Sequence, residues 1–319
     1  MPAKPPRRGK PRASYSPGEF LDLPPEAAEY SRAAAVILPL PYEDSVSYGG
    51  GAAMGPEAIV DASRQVELYD ALTDAEPAPD IGVHTLSPPG IFFETPKPGA
   101  EAVIDAIAGE SFGHSQAGKF VVGLGGEHTV SLGLVKGIAR ARGALVLVQI
   151  DAHADLRDVY GNNPYSHACV VRRIADLPEC EGVIQLGIRS TSRDQVDFSR
   201  ERRPKNKVKP FVKTHYAEEM HRDDAWKKDL AKRIRGKKAY FTFDVDGLDP
   251  AFMPATGTPE PDGLTWRQLM AATDIVADNA IMTVGMDCVE LAPLAGLHHA
   301  DFTAAKAVYR LLSRFVRSN

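Results

Sequence analysis

Leu145-Val-Leu-Val-Gln-Ile-Asp-Ala-His-Ala-Asp155 is the stretch of this 319-residue chain from which the fold class can be inferred most directly. It begins with an apolar run that has the length of a buried strand, and three ligand-type residues follow at once. Side chains two positions apart on an extended backbone point the same way, so Asp151, His153 and Asp155 are directed to one spot. The pattern predicts a buried strand that carries a metal-binding or catalytic cluster at its carboxyl end.

The apolar run 239–243 is followed by Asp244-Val-Asp246 in the same way. Four aspartates that converge in a folded interior repel one another strongly unless cations neutralise them. Two divalent cations would balance the four negative charges of these aspartates. Acidic loops facing solvent explain either cluster alone, but not both clusters at strand ends together with a central histidine. The two clusters therefore predict a two-metal site and hydrolytic chemistry.

Apolar strands alternate with helical segments along most of the chain, which indicates an α/β fold with a parallel sheet covered by helices on both faces. The predicted strands cover 33–40, 120–124, 145–150, 183–186, 239–243 and 281–286. The predicted helices cover 101–108, 130–142, 167–177, 218–235, 265–277 and 302–315, with a further helix opening at Pro56. No internal repeat or linker divides the chain. Residues 30–319 are therefore predicted to form one catalytic domain, after a flexible, basic, proline-rich tail at 1–20.

Composition and charge argue against several other classes of protein. The formal net charge of −5 gives no field that attracts nucleic acid or an anionic membrane. No run of about 18 apolar residues exists, so no membrane-spanning helix is expected, and the N-terminus lacks the apolar core of a secretory signal. The basic stretch 193–238 contains interleaved acids, which is typical of a solvated helix face. Three cysteines without a CxxC motif suit a reducing, cytoplasmic environment.

His128 is the sixth candidate ligand, and it follows the predicted strand 120–124 within Gly125-Gly-Glu-His128. A dinucleotide-binding fingerprint is the rival interpretation of glycines after a strand, but it would need a glycine where His128 stands. With His128, the predicted shell has four carboxylates and two imidazoles. This donor set suits Mn²⁺ better than the thiolate-rich shells that are typical of structural Zn²⁺.

A set of motifs in this chain resembles the signatures of the ureohydrolase (arginase/agmatinase) family, in the family's order and over nearly all of the chain from Pro39 onward. These motifs are Gly125-Gly-Glu-His128, Asp151-Ala-His-Ala-Asp-Leu-Arg157, Ser166-His-Ala168, Leu186-Gly-Ile-Arg-Ser190, Phe243-Asp-Val-Asp-Gly-Leu-Asp-Pro250, Thr256-Gly-Thr-Pro-Glu-Pro261 and Gly285-Met-Asp-Cys-Val-Glu290. The resemblance implies a three-layer α/β/α fold with a mostly parallel central sheet, two Mn²⁺ ions per subunit, and assembly as a homotrimer or homohexamer.

The resemblance also implies roles for individual residues. One metal would be bound by His128, Asp151, Asp155 and Asp244, and the other by His153, Asp151, Asp244 and Asp246. Asp151 and Asp244 would then bridge the two ions. His167 matches the family's proton-transfer histidine, and Glu290 matches its guanidinium-binding carboxylate.

The chemistry of a guanidino group agrees with these roles. A guanidinium carbon is a poor electrophile because attack removes its resonance, so a strong nucleophile is required. A metal pair supplies one by lowering the pKa of water from roughly 15.7 to about 7. Glu290 can form charge-assisted hydrogen bonds to the planar guanidinium. The leaving amine needs a proton, and a histidine such as His167 is the natural group to transfer it.

The expected reaction is hydrolysis of agmatine to putrescine and urea, and the choice of substrate depends on Arg157. A cation there would repel the distal ammonium of agmatine and attract a carboxylate, which favours a guanidino acid such as 4-guanidinobutyrate, or formimidoylglutamate. Arg157 could instead turn away and pair with a neighbour such as Asp158. An inactive, metal-stabilised scaffold is the alternative of another class, although such relatives usually lose a ligand. A deacetylase on the related fold is disfavoured, because that chemistry uses one Zn²⁺ and fewer carboxylates.

Overall fold

The central sheet of the protein has eight strands, each parallel to its neighbours, in a computed structural model that describes residues 10–71, 74–201 and 212–318. The strands are β1 (Ala35–Leu40), β2 (Val83–Thr85), β3 (Phe120–Gly125), β4 (Leu145–Ile150), β5 (Cys180–Ile188), β6 (Val212–Tyr216), β7 (Lys238–Asp244) and β8 (Met282–Val289). Their spatial order is β2-β1-β3-β8-β7-β4-β5-β6. The predicted parallel central sheet is confirmed.

Helices cover both faces of this sheet. They are α1 (Pro25–Ala28), α2 (Gly55–Ser63), α3 (Pro77–Ile81), α4 (Ala100–Gln116), α5 (Val130–Arg142), α6 (Val170–Ala175), α7 (Arg193–Glu201), α8 (Ala217–Arg222), α9 (Ala225–Ile234), α10 (Trp266–Asn279) and α11 (His298–Ser318). Side chains of α2, α9, α10 and α11 pack on one face, and those of α4, α5 and α6 pack on the other. This is the predicted three-layer α/β/α arrangement. Within the described ranges, no helix has the length and apolar character needed to cross a bilayer.

The strands are apolar almost throughout because both faces of the sheet are buried. In β4, Val146, Val148 and Ile150 belong to one hydrophobic cluster, whereas Leu145 and Leu147 belong to the other. Burial of one such side chain contributes about 1.5–3 kcal/mol. A strand that is buried on both faces therefore has a continuous apolar sequence, whereas a half-exposed strand alternates between apolar and polar residues.

The strand order brings four carboxyl ends side by side in the middle of the sheet. The strands β3, β8, β7 and β4 are consecutive, and the register aligns Leu124, Cys288, Phe243 and Ile150 in one row. Because parallel strands end at the same edge of the sheet, the residues that follow this row meet at one place. The fold therefore gathers the candidate ligands of the sequence from four neighbouring strand ends.

Three predicted helices differ from the observed ones. The helix predicted at 101–108 continues to Gln116 as α4. The segment 218–235 forms α8 and α9 rather than one helix, and Asp223 between them is extended, with φ −156° and ψ 171°. Oδ1 of Asp223 accepts the backbone N–H of Ala225 at 2.9 Å, a local hydrogen bond of the kind that competes with helical ones. The segment 167–177 consists of a 3₁₀ turn at His167–Cys169 followed by α6.

The edge strands β2 and β6 and the helices α1, α3 and α7 are not predicted from the sequence. β2 has only three residues. β6 has the sequence Val212-Lys-Thr-His-Tyr216, in which polar side chains interrupt any apolar run. Edge strands are stabilised by pairing with a neighbouring strand more than by their own apolar residues. A method that looks for apolar runs in the sequence therefore does not detect them.

Part of the predicted tail at 1–20 contacts the rest of the protein. Arg12 forms an ion pair with Glu19 at 2.5 Å, and the side chain of Phe20 is fully buried. Residues 1–9 lie outside the described residues, so a flexible tail stays a prediction for them.

The basic stretch 193–238 is described except for residues 202–211. Within its described part, acids and bases form ion pairs, for example Asp224 with Lys227 at 2.7 Å. Such pairing leaves little unbalanced positive charge for a nucleic-acid backbone, which supports the prediction that this face is solvated.

One histidine of this stretch is buried. His215 on β6 is 5% exposed, and its Nε2 lies 3.2 Å from Oδ2 of Asp229 on α9. Burial lowers the pKa of His215 to about 4, with a further contribution from the charge of Lys213, although Asp229 opposes the shift. In acid, the unfolded chain therefore takes up a proton that the folded protein excludes.

Replacing His215 with glutamine is expected to make the fold less sensitive to acid. Because the folded pKa lies below the unfolded value of about 6.5, this residue costs stability as the pH falls from about 6.5 towards about 4. Denaturant unfolding of chelator-treated samples measures this effect. Between about pH 7.5 and about pH 4.5, the free energy of unfolding of wild type should fall by about 2 kcal/mol more than that of His215→Gln. Parallel pH dependences for the two proteins would contradict the lowered pKa.

Candidate metal centre and active site

Three of the predicted ligands surround an imidazole nitrogen of a fourth, His128. Nδ1 of His128 lies 3.2 Å from Oδ2 of Asp151, 3.2 Å from Oδ2 of Asp155 and 3.3 Å from Oδ2 of Asp244. All four side chains are buried. The ligand atoms of His128, Asp151 and Asp244 lie within 4.8 Å of one another, a spacing at which one cation could contact all three.

Asp151 also belongs to a second cluster, with His153 and Asp246, whose ligand atoms again lie within 4.8 Å of one another. Nδ1 of His153 lies 2.9 Å from Oδ2 of Asp246 and 3.8 Å from Oδ1 of Asp151. Asp244 contacts this cluster through its Oδ1, which accepts the N–H of Asp246 at 2.9 Å. The structure thus places Asp151 between two potential cation positions and Asp244 beside the first of them.

A buried chain of hydrogen bonds from the sheet orients His128. Nε2 of His128 lies 2.9 Å from Oγ1 of Thr242, and Thr242 donates its hydroxyl to Oδ1 of Asp287 at 2.6 Å. Because the only hydroxyl proton of Thr242 is used in that bond, Nε2 of His128 must be the donor to Thr242. In the neutral ring, Nδ1 then directs its lone pair at the carboxylates, as a metal ligand requires.

Asp151 is held in a similar way by two glutamines. Nε2 of Gln149 donates to Oδ2 of Asp151 at 2.7 Å, and Nε2 of Gln185 donates to Oε1 of Gln149 at 2.7 Å. Both glutamines are fully buried within their strands. The position of Asp151 is therefore set by the sheet beneath it as well as by its own backbone.

Without cations, the cluster carries more negative charge than a buried site can hold. Burial and neighbouring carboxylates raise the pKa of Asp151 to about 7, and they raise that of Asp244 well above its usual value. Burial would lower the pKa values of the histidines, but the carboxylates raise that of His153 to about 10 and that of His128 well above 6.5. Asp246 differs, because its hydrogen bond with His153 outweighs burial and lowers its pKa to about 2. Protons here supply positive charge that cations could supply instead.

The residues present fit divalent cations. Nδ1 of His128 is buried and makes no hydrogen bond, although three carboxylate oxygens surround it. Buried polar atoms normally have a partner, so such an atom calls for an explanation, and a bound ion provides one. Carboxylate oxygens with some imidazole nitrogen form a suitable donor set for a divalent metal.

The two clusters face a cavity of about 240 Å³. Seven of the nine predicted site residues line it: His153, Asp155, Arg157, His167, Asp244, Asp246 and Glu290. The other two, His128 and Asp151, lie behind its wall and are 1% and 0% exposed. The structure therefore brings all nine predicted residues to one place.

Glu290 reaches the cavity directly after β8, with a left-handed φ of +65°. Its N–H donates to the carbonyl of Gly126 at 2.8 Å, and its Oε1 accepts the N–H of His128 at 2.7 Å. Burial, together with the charge of Glu127, raises the pKa of Glu290 to about 8. A cationic substrate at this carboxylate would favour its ionised form.

His167 lines the same cavity at the start of its 3₁₀ turn. Oγ of Ser45 lies 3.0 Å from its Nδ1, and Oγ of Ser47 lies 3.0 Å from its Nε2. The hydroxyl of Ser45 in turn donates to Oε1 of Glu127 at 2.8 Å. Both ring nitrogens of His167 are thus engaged by side chains that are far away in the sequence.

Arg157 lines the cavity as well, and it does not pair with Asp158. Its guanidinium carbon lies 5.2 Å from the centre of the Tyr160 ring, whereas Asp158 pairs with Arg173. A hydrogen bond from Ser192 and, less strongly, the charge of Arg157 lower the pKa of Asp194. The positive charge of Arg157 is therefore felt by an acid near the cavity.

Several polar residues of the site receive no role from the sequence: Ser45, Glu127, Gln149, Thr242 and Asp287. Gln149, Thr242 and Asp287 do leave a signal, because each is a polar residue inside a mostly apolar, buried strand, two or three positions before a candidate site residue. In a buried strand such a residue needs a partner, and a nearby functional side chain is an obvious one. Ser45 leaves no such signal, since it lies in a loop.

Cation binding to the chelator-treated protein is expected to release protons. His153 has a pKa of about 10 in the absence of cations, so it is protonated near neutral pH and must lose that proton to act as a ligand. Calorimetric titration with Mn²⁺ as the probe, in two buffers of different ionisation enthalpy, should give at least one proton released per chain. Uptake of Mn²⁺ without proton release, or no uptake, would contradict the arrangement.

Two matched variants can distinguish the clusters in the same titration. Asp151→Asn should weaken binding at both cation positions, because Asp151 belongs to both clusters, whereas Asp246→Asn should weaken binding at one. Equal effects of the two substitutions would show that Asp151 is not shared.

Curated relatives align with nearly the whole chain. The chain is 33% identical to an N(1)-aminopropylagmatine ureohydrolase from Synechocystis sp. over 312 residues, which cover 93% of this chain and 96% of the relative. It is 31% identical to an agmatinase from Bacillus anthracis over 313 residues, with 95% and 96% covered. Comparison with a solved structure tests whether such relatives share the fold of this chain as well as its sequence.

The solved structure of an agmatine ureohydrolase from Thermoplasma volcanium superimposes with a TM-score of 0.77 at 28% identity, covering 92% of this chain and 93% of that one. The model of the Arginase family matches residues 33–313, which contain all eight strands and all nine predicted site residues. By sequence and by fold, this chain belongs to the arginase family, whose members are ureohydrolases that cleave guanidino C–N bonds.

Proposed function

We propose that this protein hydrolyses agmatine to putrescine and urea at a pair of divalent cations. The observation that carries the proposal is the content of one small cavity. Two clusters of potential cation ligands, the carboxylate of Glu290 and the imidazole of His167 all face it. A nucleophile source, an anionic receptor for a guanidinium and a proton carrier are the three elements that this hydrolysis needs.

Relatives support the substrate class. The Bacillus anthracis protein is named an agmatinase, and the Thermoplasma volcanium protein an agmatine ureohydrolase. The Synechocystis protein is named an N(1)-aminopropylagmatine ureohydrolase, which makes that longer amine the second candidate substrate. Agmatine and its aminopropyl derivative carry no carboxylate, whereas arginine and guanidinobutyrate do.

We assign the cations to His128, Asp151, Asp155 and Asp244 at one position, and to His153, Asp151, Asp244 and Asp246 at the other. Two Mn²⁺ ions per chain suit this oxygen-rich shell with its two imidazoles. When bound, the cations would lower the pKa of a water molecule and so provide the nucleophile.

The remaining chemistry falls to residues of the chain itself. Glu290 would receive the guanidinium through charge-assisted hydrogen bonds and hold its carbon towards the cation ligands. His167 would deliver a proton to the nitrogen that leaves as the amine, because an amine is expelled far more easily once it is protonated. Five of the six assigned ligands are buried, and His153 is partly exposed at the cavity, so bulk water reaches the ligands mainly from the cavity side.

The positive charge of Arg157 in the cavity wall is the feature that argues against agmatine as the substrate. An agmatine tail ends in an ammonium group, and an unbalanced cation in the wall would repel it. The charge of Arg157 acts on Asp194, and its guanidinium lies against the ring of Tyr160, so part of its field is balanced within the wall. The choice of an amine-tailed substrate over a guanidino acid therefore rests on the named relatives, and Arg157 is the residue at which it is tested.

We further propose that the protein is cytoplasmic and assembles as a homotrimer or homohexamer. Its three cysteines are free thiols and are all buried, which suits a reducing compartment. Light scattering coupled to size exclusion measures the assembly directly, and a monomer would contradict this proposal.

Urea release tests the proposed reaction. Protein reconstituted with Mn²⁺ should release urea from agmatine or N(1)-aminopropylagmatine faster than from arginine or 4-guanidinobutyrate, and chelation should abolish the activity. His167→Ala should lower kcat by roughly 10²–10³-fold, within the range expected for a proton-transfer residue, while the bound metal content stays unchanged. Full activity after complete metal removal, or near-normal turnover of His167→Ala, would contradict the assigned roles.

Arg157→Ala separates amine tails from acid tails. If the substrate is an amine, the substitution should change kcat/KM for agmatine by less than about tenfold, which is about 1.4 kcal/mol. If the substrate is a guanidino acid, loss of a desolvated charge pair should cost about 2–5 kcal/mol. Wild type and variant are therefore compared on agmatine and on 4-guanidinobutyrate. A wild-type preference for guanidinobutyrate that disappears in the variant would overturn agmatine as the substrate.

A further inference from the structure

Ser45 lies in the loop after β1 and contacts His167. Two close contacts hold this loop against the segment that contains Glu127. The N–H of Glu127 donates to the carbonyl of Tyr42 at 2.8 Å. At Gly126, an added Cβ would lie 1.9 Å from the same carbonyl oxygen, so only glycine permits this approach. The loop is thus held close enough for side chains to meet across it.

The carboxylate of Glu127 is the centre of this contact and is 2% exposed. Its Oε2 accepts the N–H groups of Asp44 at 2.6 Å and Ser45 at 2.7 Å. Its Oε1 accepts the hydroxyls of Ser45 at 2.8 Å and Thr129 at 2.7 Å. With four donors directed at it, this carboxylate acts only as an acceptor.

The single proton of the Ser45 hydroxyl determines the state of His167. Since Ser45 donates that proton to Glu127, its oxygen can only accept from its other neighbours. These are the backbone N–H of His167 at 3.0 Å and Nδ1 of His167 at 3.0 Å. The hydrogen bond between Ser45 and Nδ1 therefore requires that Nδ1 carries the proton, which leaves the lone pair of the neutral ring on Nε2. Oγ of Ser166 is the more distant neighbour of Nδ1, at 3.5 Å, and can accept from the same N–H.

We infer that Ser45, held by Glu127, is a positioning residue that selects the Nδ1–H tautomer of His167, an inference that rests on the proposed function for its kinetic consequence. The selected tautomer presents Nε2 as the nitrogen that takes up and releases a proton. Ser47, whose Oγ lies 3.0 Å from Nε2, is then a donor to that nitrogen. The order carboxylate, hydroxyl, imidazole supplies the third, orienting group that proton-transfer histidines usually have.

Long-range ¹H–¹⁵N NMR of the imidazole rings tests the tautomer without any turnover. The sample is ¹⁵N-histidine-labelled protein loaded with a diamagnetic divalent cation, and His167→Gln identifies the signals. Wild type should show His167 with its neutral-form proton on Nδ1. Ser45→Ala should shift the population towards the Nε2–H form, which free histidine prefers, whereas the matched variant Ser47→Ala should keep the proton on Nδ1. A wild-type ring with its proton on Nε2 would overturn the inference.

Kinetics test the consequence for catalysis. Ser45→Ala should lower kcat for urea release by about 10–100-fold, with KM within about threefold of wild type, since the hydroxyl acts on the proton carrier and not on the substrate. Ser45→Thr keeps a hydroxyl at this position and should restore most of kcat. The metal content and thermal unfolding of each variant are measured in parallel, so that a loss of metal or of folding is recognised.

The outcomes separate this inference from the proposed function. If wild type hydrolyses no guanidino compound, the proposed function fails, and the NMR comparison still decides whether Ser45 selects the tautomer. If wild type is active and Ser45→Ala keeps its kcat, or Ser45→Thr is as impaired as Ser45→Ala, the positioning role is refuted while the proposed function stands.

Discussion

The convergence of four buried aspartates at one edge of the sheet is the constraint on which this structure depends. In the unfolded chain these carboxylates are far apart and hydrated. Folding brings three of them to 3.2–3.3 Å from Nδ1 of His128, and the fourth, Asp246, to 2.9 Å from Nδ1 of His153. Burial and the repulsion between these carboxylates raise the pKa of Asp151 to about 7, and they raise the pKa of Asp244 in the same direction. Folding of the chain and uptake of positive charge are therefore coupled, since anything that neutralises the cluster stabilises the folded state.

The parallel sheet meets this constraint with polar residues placed inside apolar strands. Gln149 in β4 and Thr242 in β7 each precede a candidate ligand by two positions, and both are fully buried. Each would cost free energy if it were alone, but Gln149 is paired with Gln185, and Thr242 with Asp287. These pairs run sideways between strands, so the orientation of a ligand on one strand is fixed by its neighbour. The sheet is in this sense part of the metal centre.

The sequence predicts those features that depend on periodicity and on short distances along the chain. The doubly buried strands, the helices that cover them and the ligands placed directly after 145–150 and 239–243 all follow from local patterns. The contact of Ser45 with His167 joins residues 122 positions apart through a loop without periodicity, so no local pattern reveals it. The break at Asp223 is missed for a related reason, because one short hydrogen bond to Ala225 outweighs the helical propensity of its surroundings. Such features depend on tertiary contacts that a pattern does not contain.

Chemistry and substrate choice depend on different parts of this fold. The candidate ligands and Glu290 lie at strand ends fixed by the hydrophobic core, and Asp155 and Glu290 even hold positive φ angles, a conformation that costs about 1–3 kcal/mol and persists only in rigid surroundings. The other wall of the cavity consists of loop residues such as Tyr48 and Tyr160, which are 87% and 39% exposed. Loops change sequence without loss of the core, so the tail of a substrate can be exchanged while the guanidino chemistry is kept. A family of hydrolases that shares one metal centre and differs in the amine it releases is the outcome that this division of roles favours.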